Sequence, residues 1–232
     1  MKTSILVAIL ILVASVGRAQ SPNVTQGLAI LQDAYTDTTI HGWKIHINSA
    51  LDEHPSLRAR AALALSDELT AIETRLPVPA VTELKEMSFW LEWVSKNGKV
   101  LQYHYSADDL RKHDDDPRKE SSIEILAADY VNMPHDSLPL VKMLALGYQH
   151  RALGLHNTDV DRAFQHAKAA KMYDVQIDSR QHFPFRDDKE YFAILSNAYF
   201  GGPLSYAPFD KKRFKLLDSQ GYDMIEKMWK VK

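Results

Sequence analysis

The run Trp43-Lys44-Ile45-His46-Ile47-Asn48 alternates apolar and polar residues, the period of a strand buried on one face. Further on the period lengthens. Leu65, Leu69, Ile72 and Leu76 fall at spacings of four, three and four, so they share one face of a helix. Leu76-Pro77-Val78-Pro79 ends that helix, because proline cannot extend the hydrogen-bond ladder. Residues 87–94 (MSFWLEWV) and 100–105 (VLQYHY) flank an Asn97-Gly98 pair, which predicts a tight reversal and hence a β-hairpin. Residues 123–130 (IEILAADY) read as a further strand, with alanines that leave a helix open.

Helical spacing dominates the second half. Ser137 is a candidate N-cap with Pro139 in the first turn and Gly154 as the stop; Val141, Leu144, Ala145, Tyr148 and Ala152 form the stripe between them. Val160, Ala163, Phe164, Ala167 and Ala170 repeat the pattern from an Asp159 cap. A third helix is expected from Asp187 or Asp188 to Phe200, stopped by Gly201-Gly202-Pro203, and a last one over about 210–230. Strands followed by helices predict an α+β domain.

Composition narrows the function classes. The chain is 45% hydrophobic and 25% charged with a net charge of −2, which offers no basic face for nucleic acid. It has no cysteine, so thiol catalysis and thiolate metal sites are excluded and stability must come from burial. Lys2, the apolar run 5–16 and Gly17-Arg18-Ala19 read as a signal peptide cleaved near Ala19, too short to span a bilayer, which takes about 20 apolar residues. Export without a membrane anchor is the expectation, with a polar lead over 20–39 and one domain over 40–232. Asn23-Val24-Thr25 is a glycosylation sequon.

Two helical segments carry a resemblance. Residues 140–154 read LVKMLALGYQHRALG, and residues 190–201 read EYFAILSNAYFG. The first resembles the active-site helix of secreted zincin-type peptidases, distant relatives of the anthrax lethal factor catalytic domain, whose helix reads close to H-E-L-A-H-A-Y-H-D-R-x-L-G. Leu144, Ala145, Tyr148, Arg151, Leu153 and Gly154 match it. The second is similar to that family's E-Y-F-A-E-L-S-E-A-Y-F-G, departing only at Ile194 and Asn197. The resemblance implies a zincin-like α+β fold with a small N-terminal mixed sheet and a mainly helical C-terminal half.

It also implies what has been lost. Zinc peptidases hold the metal with two histidines one helical turn apart, and a glutamate after the first accepts the proton of the bound water. Those positions are Lys142, Leu146 and Met143 here. The family's third ligand persists as Glu190, and Phe183 stands where the lethal factor relatives carry an assisting tyrosine. The zinc site is therefore expected to be gone, leaving no cofactor. A Lys142–Glu190 ion pair is the expected substitute, against the alternative of Lys142 reaching out to water. Lys142, Tyr148, His182 and Glu190 are the candidate cleft residues.

Other chemistry is thinly supported. His113-Asp114-Asp115-Asp116-Pro117-Arg118-Lys119-Glu120 lacks the glycine-centred ligand spacing of an EF-hand and reads as a solvated loop rather than a calcium site. His46 and His104 read as sheet residues; of His150, His156 and His166, which fall in or after one helix, the first two are six apart and do not share a helix face well. No G-x-S-x-G elbow or phosphate-binding glycine loop is present. Phe89, Trp90, Trp93, Tyr103 and Tyr105 form either core or an aromatic patch for a peptide or glycan. The sequence thus points to a secreted pseudopeptidase that binds an extracellular protein, peptide or glycan, with an active hydrolase of rearranged metal site and a peptidase inhibitor or decoy as the alternatives.

Overall fold

In the computed structural model, which describes residues 35–94, 98–177, 180–204 and 207–231, the alternating run Trp43–Asn48 is strand β2. Strand β1 (Tyr35–Ile40) pairs with it antiparallel through His41-Gly42, whose φ angles of 50° and 81° give the twist a two-residue hairpin needs. The polar lead expected over 20–39 thus contributes a strand, and the sheet begins at Tyr35. Most of the β1 side chains are exposed, so no apolar alternation marks it. The signal segment 1–19, the remaining lead and Asn23 lie outside the described residues.

The expected hairpin is not formed. Among the described residues the sheet runs β1-β2-β3-β5-β4, with β5 (Ile123–Leu126) between β3 (Ser88–Glu92) and β4 (Leu101–Tyr103). β3 pairs parallel with β2 and β5, while β4 pairs antiparallel with β5. The reason is visible in β3 itself, where Phe89, Trp90, Leu91 and Glu92 are all buried. A strand buried on both faces belongs inside the sheet, with a neighbour on each edge. The stretch 123–130 resolves as both readings: β5, then a single helical turn α4 (Ala127–Tyr130).

One face of the sheet presents Trp43, Ile45, Ile47, Phe89, Leu91, Ile123 and Ile125 to the helices. Against it lies α1 (Pro55–Arg75), whose predicted stripe Leu65, Leu69, Ile72 and Leu76 is buried. The prolines that stop α1 also open α2 (Val78–Leu84), consistent with proline's fit to the first helical turn. On the other face lies the acidic segment that follows α3 (Ala107–Lys112): Lys119 reaches Glu92 and Glu124, and Arg118 lies over the Trp90 ring. That segment is not a solvated loop, for Asp116 and Lys119 are buried.

The second half follows the predicted helices with three changes. Ser137 does not cap α5 (Leu140–Tyr148); its hydroxyl donates to Pro134 O, and the Leu140 amide donates to the carboxylate of Glu68 in α1, at 2.7 Å. α6 (Thr158–Ala169) is capped by Asn157 rather than Asp159. Beyond the small β6–β7 hairpin (Val175–Ile177, Arg180–His182) and α7 (Asp188–Phe200), the last expected helix is two, α8 (Lys211–Leu217) and α9 (Ser219–Trp229). Asp218 leaves helical geometry between them (φ −141°, ψ 80°) and caps α9 through Gly221 N–H.

Glu68 ties these layers together. Besides capping α5 it accepts Tyr130 OH (2.8 Å) and His135 Nδ1 (2.9 Å), while His135 Nε2 faces Tyr130 O at 2.9 Å. Both ring nitrogens meet acceptors, so the bound form is the imidazolium. The Glu68 hydrogen bond raises the His135 pKa above its ordinary 6.5, against partial burial, with further help from the Glu68 charge, Tyr130 O and Asp67. A raised folded-state pKa gives stabilisation that is full below 6.5 and disappears as pH climbs through the folded value. Denaturation midpoints measured from pH 5.5 upward should therefore fall more steeply for the natural chain than for His135→Asn.

Candidate functional site

α5 runs close beside β4 because residue 147 is glycine: a Cβ there would meet Met87 and the Tyr103 ring. The helix continues as a π turn (Gln149–Leu153) and ends at Gly154, whose φ of 84° suits glycine. Its register is fixed from the other side by α7, where Asn197 donates to Ser137 O and Leu138 O at 2.9 and 3.0 Å. Ahead of α7, Asp187 caps the helix through Glu190 N–H, which holds Glu190 in the first turn facing α5.

The result is a cleft of about 490 Å³ between β4, α5 and the start of α7. Lys142, Met143 and Leu146 all line it, as does Glu190. A second hollow continues past Lys142 and Met143, lined by Leu101, Met133, Pro134, Pro139 and Leu204 among others. β4 ends the sheet on this side. Val100 O accepts Leu126 N–H, His104 N–H donates to Ser122 O, and His104 O accepts Ser121 N–H. By the alternation of an antiparallel ladder, the backbone groups of Leu101 and Tyr103 point away from β5, towards the cleft.

Lys142 Nζ lies 3.8 Å from Glu190 Oε1, a contact longer than a hydrogen bond. The stronger claim on Glu190 belongs to Arg186, which meets Oε2 through its backbone N–H (3.0 Å) and its Nε (3.1 Å). Burial lowers the Lys142 pKa, with Arg186 adding to the effect and Glu190 opposing it. Burial pushes the Glu190 carboxyl up, but the Arg186 hydrogen bonds and the Lys142 charge outweigh it and leave the pKa below the ordinary value. Arg186 was missed by sequence reasoning, although its i,i+4 spacing to Glu190 is a readable signal.

Other expectations fall elsewhere. Tyr148 is not a cleft residue: it is buried and stacks on Trp229 at 4.3 Å. Six residues beyond Lys142, it is turned about 240° around the helix. Phe183 packs among Phe164 and Phe185, and the side chain of His182 lies outside the described residues. Phe89, Trp90 and Tyr103 are buried, so most of the aromatic group is core on one or other face of the sheet. Tyr103 OH meets His150 Nδ1 at 2.9 Å beside Tyr105.

These residues do not fit a zinc ion. An ammonium repels a divalent cation, methionine at 143 accepts no proton, and leucine at 146 has no donor atom, which leaves Glu190 as a lone carboxylate. Among the described residues His104, Asp115 and Glu124 bring ligand atoms together on the back of the sheet. That space is held by the Lys119 ammonium, 2.7 Å from Glu124, 2.8 Å from Glu92 and 3.3 Å from Asp115. His46 meets Asp37 at 2.7 Å and lies against Trp90 in a tilted ring contact with centroids 4.2 Å apart. No helix among the described residues is long and apolar enough to cross a membrane. The chain matches no protein-family model, no curated protein and no solved structure.

Proposed function

We propose that this chain is a secreted, non-catalytic relative of zincin-type metallopeptidases whose cleft binds an extended peptide. One observation carries the reading: Lys142, Met143, Leu146 and Glu190 converge on a single cleft beside an edge strand. Positions 142 and 146 are one helical turn apart and Glu190 faces them, the frame that the resemblance assigns to two ligands and a third. Hydrolysis by this family needs a metal to activate water, and Lys142, Met143 and Leu146 offer that metal no ligand, while the one carboxylate of the frame, Glu190, is held by Arg186. Binding needs less. The outward backbone groups of Leu101 and Tyr103 can add a peptide strand to the sheet, and the hollows either side of Lys142 can take its side chains.

The test is titration of acetylated, amide-ended hexapeptides into the purified chain, with product analysis after long incubation with added zinc. Saturable binding without cleavage is expected, weakened by Leu101→Pro, which removes a backbone donor from the free edge at a half-buried position. Zinc-dependent cleavage abolished by chelator would identify an active hydrolase with a rearranged site and overturn the proposal.

A further inference from the structure

We infer that the cleft selects peptides presenting a carboxylate, which docks on the Lys142 ammonium; this rests on the peptide-binding reading above. Two cations of the cleft lining, Lys142 and the largely exposed Arg186, share one internal carboxylate. Glu190 spends Oε2 on Arg186, through the backbone N–H at 3.0 Å and Nε at 3.1 Å, and offers Oε1 to Lys142 only at 3.8 Å. Among the described residues Lys142 thus has a charge partner but no acceptor within hydrogen-bond distance. Its side chain is 31% exposed, held between α7 and β4 with its donors at the cleft.

The neighbouring charges do not supply the missing acceptor. Lys189 is engaged with Asp188 at 3.2 Å and Asp187 at 3.8 Å, and Asp109 lies on the far rim, on α3. A ligand carboxylate at Lys142 would complete an alternating set of two cations and two anions, in a partly desolvated cleft where charge-assisted hydrogen bonds are strong. Its surroundings favour a peptide over a sulfated glycan. The edge of β4 offers backbone pairing at Leu101 and Tyr103. The hollow beyond Lys142, lined by Met133, Pro134, Pro139 and Leu204 with Asp136, Ser137 and Asn197 alongside, has an apolar side that suits a peptide side chain.

The experiment is calorimetric titration of the full chain with three acetylated tetrapeptides of leucine, valine and alanine. One has a free C-terminal carboxylate, one an amide end, and one an amide end with a central aspartate. At least one carboxylate-bearing peptide should bind about tenfold more tightly than the neutral one. Which of the two does so identifies a chain terminus or an acidic side chain as the source. Lys142→Gln should erase the difference between carboxylate-bearing and neutral peptides, and Lys142→Arg should keep it. Equal binding of all three by the natural chain overturns the carboxylate inference and leaves the peptide cleft standing. Failure of every peptide to bind removes both, as does binding of a sulfated disaccharide alone.

Discussion

Lys119→Ala is expected to destabilise the fold by about 3–5 kcal/mol, the usual consequence of leaving buried charges without their partner. Lys119 lies on the back of the sheet with a side chain 6% exposed, touching Glu92, Glu124 and Asp115. Glu92 is further held by Tyr35 OH and Asn48 Nδ2, both at 2.7 Å, and Glu124 by His104 Nε2 at 3.2 Å. Burial alone works against the Lys119 charge, but Glu92 and Glu124 outweigh it and hold its pKa above the ordinary lysine range. Burial likewise opposes the Glu124 charge, yet His104 and Lys119 bring its pKa down to about 2. Removing the ammonium strands three carboxylates, two of them almost wholly buried. Urea denaturation should show a loss amounting to a large share of the 5–15 kcal/mol typical of a domain. Adding Glu92→Gln and Glu124→Gln should recover part of it, since the cost lies in unpaired charge. A loss below about 1 kcal/mol for the single variant would mean the cage is open to water.

Asp218→Ala should cost a similar amount, roughly 3 kcal/mol or more, by a different route. Asp218 is fully buried at the junction of α8 and α9. Oδ2 accepts Tyr191 OH at 2.6 Å and Tyr173 OH at 3.0 Å, and Oδ1 accepts Gly221 N–H at 2.8 Å. Alanine leaves two buried phenols without an acceptor and α9 without its cap. Because Tyr191 follows Glu190 in α7, the loss should spread to the cleft wall. Thermal melts of Asp218→Ala against Asp223→Ala, an exposed position on α9, separate the two cases: the first should drop by many degrees and the second barely move.

The sequence showed its structure where one physical requirement acted locally. The alternation at 43–48 follows from one buried face, and the caps and stops of α7 are set by Asp187 and Gly201-Gly202. It misled where distant residues decide. Asn97-Gly98 favours a reversal, but the two-sided burial of β3 demands β5 as neighbour. Ser137 looks like a cap, yet a carboxylate 72 positions away does the capping. Asp218 breaks a helix that propensity would continue, because two tyrosines need its oxygens. At the site, the segments around 142–146 and Glu190 were legible as a pair. The hold of Arg186 on Glu190 and the turning of Tyr148 into the core depend on packing that no single segment carries.

The most direct measurement is metal content after restoring the ligands that the frame implies. The variant combines Lys142→His, Met143→Glu and Leu146→His with Arg186→Ala, which releases Glu190. If the frame is that of a zinc peptidase, this chain should retain one zinc per molecule after dialysis, while the natural chain retains none. A folded variant that holds no more zinc than the natural chain would contradict the account.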